Sequence, residues 1–217
     1  MQGAWCSRWQ GDLRCRVVYN GLPAERLRHQ RVTTPEAPSV INVASIQALK
    51  NQLRLVGILR HGLRDLPDLS LRLVGREVAD YGATVRRAAH EAGVADRVHF
   101  VGEVEEPMPL IAASSLMILP SLWEGLPSAV LEACAVGIPV LAADLPGTRE
   151  VAQHFPNVCL MPLAEGDRAW AAAAVRLVRQ APIPAPEVEA RFARSPFTVA
   201  RSREAHYHIW SRVRASA

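Results

Sequence analysis

The sequence predicts an α/β fold, a Rossmann-like, doubly wound parallel sheet. Short β-branched runs alternate with helical patterns along the 217 residues. The runs are apolar throughout, as expected of strands covered on both faces, where a half-exposed strand would alternate. Strand–helix alternation at this spacing implies parallel neighbours joined by crossover helices.

Taken in order, residues 39–45 (SVINVAS), 69–75 (LSLRLVG), 96–102 (DRVHFVG), 115–120 (SLMILP) and 137–143 (GIPVLAA) read as strands. Residues 158–162 read as a more peripheral last strand and 15–21 as an earlier one. The helix expected over 48–63 puts Leu49, Leu53, Val56, Ile58 and Leu63 near one stripe. A second helix spans 80–93 and ends at Gly93, a residue suited to a left-handed C-terminal cap. Residues 105–114 form a shorter helix, and 127–137 a further one with Pro127 in its first turn and Gly137 after its last. Residues 167–180 form another, closed by the proline-rich stretch 181–186, and 202–215 a final helix.

Ligands on such sheets bind at the carboxyl ends of the strands. Here those ends are Ala44-Ser45, Gly75-Arg76-Glu77, Gly102-Glu103-Val104 and the stretch from Ser121 to Pro127, which should line one crevice.

Composition narrows the function classes. The formal charge is +4, with 49% hydrophobic and 21% charged residues, and the arginines are spread without a dense block, which argues against nucleic-acid binding. No run approaches the ~20 apolar residues of a membrane span, and the first ten residues lack the pattern of a secretory signal. Cys6, Cys15, Cys134 and Cys159 have no C-x-x-C spacing, so free thiols in a reducing, cytoplasmic compartment are expected. His206 and His208 are two apart and make a poor metal pair on a helix. Lys50 is the one lysine in an arginine-rich chain.

Two carboxylates stand out in PSLWEGLPSAVLEACAVGIPV, residues 120–140. Glu132 sits within an apolar helical run, although carboxylates are rarely buried without a partner. Glu124 stands just ahead of the same helix. A helix N-terminus offers unpaired N–H groups and about half a positive charge, a site for an anion. Gly125 lets a ligand approach the backbone, and Glu132 lies about 8 Å along the axis from Pro127. A phosphate between two diol-binding carboxylates fits this spacing. So does a structural acid at 132 with an exposed, dipole-favoured glutamate at 124, and the residues alone leave both open.

The string EGLPSAVLE, following ILPSLW and preceding ACAVGIPVLAADLPGTREV, with DRVHFVG upstream in the same order, closely resembles the signature of family-four (group 1) glycosyltransferases. These are retaining enzymes of the GT-B fold, and the resemblance covers their second, C-terminal, donor-binding domain. It implies a nucleotide-sugar donor, a UDP- or GDP-sugar, with no further cofactor and no metal, because Lys50 and the positive helix end can do a metal's electrostatic work. By position, Glu132 resembles the ribose-diol ligand and Glu124 the carboxylate facing the donor sugar. Gly125, Leu126 and Pro127 would face the sugar and diphosphate. Lys50 resembles the phosphate-binding lysine, and Val104 the residue whose backbone reads the base.

The sequence departs from the family in two places. Where a Gly-Arg pair usually ends the first strand it has Ala44-Ser45, and Ser45 can donate a hydrogen bond but brings no charge. The glycine that follows the lysine is Asn51.

The resemblance divides the chain into an interdomain connection and domain opening (1–30), a nucleotide-sugar-binding domain (31–180), and the proline-rich break with the C-terminal helix (181–217). An acceptor-binding domain, in cis or in trans, is expected to precede it. The acceptor would be a polysaccharide or lipid-linked glycan, which is compatible with peripheral attachment to the inner face of a membrane. The chain alone is expected to be inactive in transfer. The alternative is a non-catalytic nucleotide-sugar-binding module or partial-gene relic acting through a partner, which Ser45 favours and the intact Glu124, Glu132 and Lys50 oppose. A nicotinamide-binding domain is excluded because the turn after the first strand has no G-x-G-x-x-G.

Overall fold

A computed structural model describes residues 17–26 and 35–215. Six strands, β1 (Ser39–Val43), β2 (Ser70–Val74), β3 (Val98–Gly102), β4 (Leu116–Leu119), β5 (Val140–Ala143) and β6 (Val158–Met161), form one sheet in the order β3-β2-β1-β4-β5-β6. All the pairings are parallel. This is the doubly wound architecture the sequence predicts. The order reverses between β1 and β4, and a reversal of this kind opens a crevice at the carboxyl edge.

The helices are α1 (Gln52–Gly62), α2 (Tyr81–Glu91), α3 (Met108–Ala112), α4 (Ser128–Ala135), α5 (Pro146–Ala152), α6 (Asp167–Val178), α7 (Ala185–Arg194) and α8 (Val199–Ala215). They cover both faces of the central strands, where every residue of β4 and β5 is buried. By contrast, β2 and β3 carry Arg72 and His99, and β3 alternates buried or half-buried with exposed residues, so the continuous apolar runs expected there are corrected. In β4, Leu116 and Ile118 point into one core while Met117 and Leu119 point into the other, and all four are buried. The first core is completed by Leu55 and Leu59 of α1, Val85 of α2 and Trp170 of α6. The second takes Met108 of α3, Val130 of α4 and Phe192 of α7. Burying each such side chain contributes ~1.5–3 kcal/mol.

Several expectations are corrected. Leu49 and Leu53 are 42% and 37% exposed, not core. A short 3-10 turn (Ala48–Lys50) ends at Asn51, whose φ of 56° is left-handed, so α1 begins at Gln52 in a new phase. Its buried stripe is Gln52, Leu55, Val56, Leu59 and Gly62, together with Ile58. Pro127 lies ahead of α4 in extended backbone rather than within its first turn. The strand expected at 15–21 falls partly outside the described residues, as do Cys6 and Cys15. Its described part, 17–21, is irregular, and only Leu22 pairs, as a parallel bridge to Thr198. Helices α5 and α7 are additions to the expected set, and α7 begins within the stretch 181–186 that reads as a proline-rich break.

Candidate functional site at the carboxyl edge

The reversal between β1 and β4 sets the chain that leaves β1 beside the chain that leaves β4. Leu122 N–H donates to the Leu49 carbonyl at 2.9 Å, and Asn51 Nδ2 donates to the Pro120 carbonyl at 3.1 Å. Asparagine suits this point because it tolerates left-handed backbone better than other side-chain-bearing residues. The turn aims Lys50 at the β4 loop, where Nζ meets Glu124 Oε1 at 2.8 Å. The two side chains are only 19% and 8% exposed.

Beneath this turn runs a buried polar network. Asn42 Nδ2 donates to the Ile118 carbonyl at 2.8 Å, tying β1 to β4. Gln52 is fully buried, and its Nε2 donates to the Ser45 carbonyl at 3.0 Å and to Asn42 Oδ1 at 3.3 Å. Gln47 Nε2 donates to Ser45 Oγ at 2.7 Å.

Glu132 on α4 is 6% exposed and pairs with Arg26, which also lies 3.6 Å from Glu106 in the loop after β3. Burial raises the Glu132 carboxyl above the usual carboxylate range. The Arg26 guanidinium only partly offsets this, and the negative charge of Glu106 adds to it.

The loop between the two glutamates is fixed from behind by α5. A Cβ on Gly147 would lie 1.4 Å from the Gly125 carbonyl oxygen, so the backbones touch where only glycine fits. A Cβ on Gly125 itself would meet open space. Ser121 Oγ in the same loop is buried without a hydrogen-bond partner among the described residues.

Ser45 and Val104 line a cavity of about 280 Å³, together with Val43, Ala44, Val74, Gly75, Arg76, Glu103 and Pro107. Lys50, Glu124, Gly125, Leu126, Pro127 and Glu132 stand at the same carboxyl edge but do not line that cavity. The carboxyl edge thus carries a cavity at the β3–β2–β1 ends and, beside it, two charge clusters, Lys50–Glu124 and Arg26–Glu132–Glu106. Larger cavities of about 660 and 750 Å³ lie between the 17–25 segment and the start of α8, and none of the expected residues lines them.

Sequence reasoning missed Arg26, Asn42, Gln52 and Gly147. An asparagine inside an apolar strand was a visible signal for Asn42. Nothing local marked Arg26, which sits 106 positions from its partner.

Residues 37–180 match the family described as "Glycosyl transferases group 1". The capsular polysaccharide biosynthesis glycosyltransferase CapH of Staphylococcus aureus is 27% identical over 143 residues, which are 65% of this chain and 40% of CapH. A GDP-mannose-dependent α-(1-6)-phosphatidylinositol monomannoside mannosyltransferase of Mycobacterium tuberculosis is 33% identical over 142 residues, 61% of this chain and 36% of that protein. The chain thus spans well under half of these relatives. Among solved structures, Anabaena Alr3699/HepE in complex with UDP and glucose superposes with a TM-score of 0.71 at 21% identity, over 90% of this chain and 56% of that one. Sucrose-phosphate synthase from Thermosynechococcus elongatus gives a TM-score of 0.75 at 22% identity, over 99% and 56%. At these identities the structural likeness concerns the fold, whereas the sequence match spans most of the chain, and by that match the chain belongs to the group 1 glycosyl transferases.

Proposed function

We propose that this chain holds the nucleotide-sugar donor for a retaining sugar transfer in glycan or polysaccharide biosynthesis and supplies the donor-binding, C-terminal half of the enzyme. The observation that carries this reading is the partly buried Lys50–Glu124 pair at the β1/β4 reversal. A cation and a carboxylate at that point can divide a sugar diphosphate between them, with Lys50 on the phosphate and Glu124 on the sugar hydroxyls.

In the reaction, the bond from the anomeric carbon to the diphosphate oxygen breaks and the acceptor oxygen bonds to the same face. The acceptor proton passes to the departing phosphate. Lys50 neutralises charge that grows on the leaving group, an interaction stronger in the transition state than before it. Glu124 orients the sugar. Glu132 accepts from the ribose diol once Arg26 yields, and the backbone of Gly125 and Leu126 faces the sugar and diphosphate. Val104 faces the base from the loop after β3.

A non-catalytic binding module is the second reading, favoured by the uncharged Ser45 at the end of β1. The relatives include a capsular polysaccharide biosynthesis glycosyltransferase and a phosphatidylinositol monomannoside mannosyltransferase, which supports a glycan or lipid-linked acceptor. No helix among the described residues is long and apolar enough to cross a membrane; peripheral association through the acceptor is the reading in keeping with this.

The test is calorimetric titration of the chain with UDP and GDP. Binding of at least one, weakened about tenfold or more by Glu132→Ala through the loss of a charge-assisted hydrogen bond, is the expected result. Equal affinity for wild type and Glu132→Ala rejects the ribose assignment.

A further inference from the structure

The carboxyl edge carries one more cation than the reading above uses. Lys50 is engaged by Glu124, and Arg26 by Glu132 and Glu106. Arg76, in the loop after β2, makes no ion pair and no side-chain hydrogen bond among the described residues, and it lines the 280 Å³ cavity.

Its place is set by strand register. Val43 pairs with Val74 and Ile46 bridges Glu77, so Ser45 and Arg76 stand at one height on neighbouring chains. The Ile46 N–H donates to the Arg76 carbonyl at 2.8 Å. Gly75 brings the two chain ends together, since its φ of 140° favours glycine and a Cβ there would lie 2.1 Å from the Ala44 carbonyl oxygen.

The neighbouring carboxylate does not neutralise Arg76. Glu77 is held bidentately by Arg86 at 2.8 and 2.5 Å, and Arg86 stacks on Phe100. Glu103 also lines the cavity, on the β3 side. Ser45 Oγ already accepts from Gln47, so its own proton is left to donate.

We propose that Arg76 is a second cation for the ligand's diphosphate, reaching it from the cavity side with the Ser45 hydroxyl donating beside it, while Lys50 reaches it from the β1/β4 side. The charge absent from the end of β1 is thereby supplied from the end of β2. A guanidinium presents a planar fork matched to phosphate oxygens and remains charged at any working pH. The inference rests on the nucleotide-sugar reading above.

The experiment titrates the full 217-residue chain and its Arg76→Gln variant with UDP, GDP, uridine and pyrophosphate, at low and at physiological salt. Arg76→Gln is expected to weaken UDP or GDP about tenfold or more, as loss of a charge-assisted hydrogen bond does. It should also flatten the salt dependence, because an exposed charge is screened, and leave uridine affinity unchanged. Pyrophosphate binding that equals UDP binding and falls equally with Arg76→Gln would make the site one for free phosphates and overturn the assignment to a nucleotide. Wild-type UDP and GDP affinity and salt dependence in Arg76→Gln overturn the role of Arg76 and leave the nucleotide-sugar reading standing. Equal weakening of uridine and UDP also overturns it, by placing Arg76 on the nucleoside. A wild-type chain that binds neither UDP nor GDP removes the underlying reading and this inference together.

Discussion

Lys50 Nζ and Glu124 Oε1 lie 2.8 Å apart although 74 positions separate them in the chain. The pair closes the point where the sheet order reverses, and each partner keeps the other from being a lone buried charge. Removing one partner strands the other. Lys50→Ala is therefore expected to destabilise the fold by about 1–3 kcal/mol, with the Lys50→Ala/Glu124→Ala double variant recovering part of the loss. Urea unfolding of the four species of this cycle measures the coupling. Strictly additive losses would mean that the contact contributes nothing.

Nucleotide binding should separate the same two residues. On the proposed reading Lys50→Ala lowers UDP or GDP affinity, because the phosphate loses one of its two cations. Glu124→Ala, on the sugar side, lowers it less than Glu132→Ala does. Calorimetry that ranks Glu124→Ala below Glu132→Ala in nucleoside diphosphate affinity would reverse the assignment of the two glutamates.

Glu132 gives a pH-dependent signature. Burial raises its carboxyl above the 4.5 of the free side chain. The folded state therefore binds the proton more tightly than the unfolded state. That contribution to stability is fully present below the unfolded value and is lost as pH rises through the raised folded value. Glu132→Gln cannot ionise, so its melting temperature should match or exceed that of wild type at pH 7, with the advantage shrinking toward pH 4. A variant that melts well below wild type at pH 7 would show that the Arg26 pairing outweighs desolvation.

Two backbone positions can be tested by small substitutions. Asn51→Ala places an alanine at φ 56° and removes the hydrogen bond to Pro120, an expected cost of about 1–3 kcal/mol. Asn51→Gly should cost less. Gly147→Ala forces a methyl against the Gly125 carbonyl and should cost about 1–3 kcal/mol, with a further fall in nucleotide affinity as the loop is displaced. Thermal melts of the three variants decide this, and a neutral Gly147→Ala would refute the close approach of α5 to the loop.

Turnover provides the last test. The 217-residue chain assayed alone is expected to show negligible transfer, because well-oriented placement of an acceptor contributes ~7–11 kcal/mol to lowering such a barrier and, on the proposed reading, this chain supplies the donor side. An acceptor-binding domain supplied in fusion or as a partner should restore transfer with retention, read by the anomeric configuration of the product. Efficient transfer by the chain alone would locate the acceptor site within it. A domain-supplemented chain that binds UDP or GDP but transfers nothing would favour the binding module.

The central strands were legible because a strand covered on both faces is apolar at nearly every position, and LMIL at 116–119 is too short an apolar run for a helix of ordinary length. The ordered glutamates at 124 and 132, the helix between Pro127 and Gly137, and the lone Lys50 were equally visible, because each is a local pattern. What the tertiary structure alone decided is who meets whom. Lys50 faces Glu124 only because β1 and β4 are neighbours, and Ser45 faces Arg76 only because of the β1–β2 register. Arg26 reaches Glu132 because the 17–26 segment is anchored by Leu22 to the chain entering α8. Gly147 is required by a carbonyl oxygen in a different loop, a demand no residue near it in sequence reveals. Strand order and register are set by the summed packing of both cores, and no local window of residues contains that information.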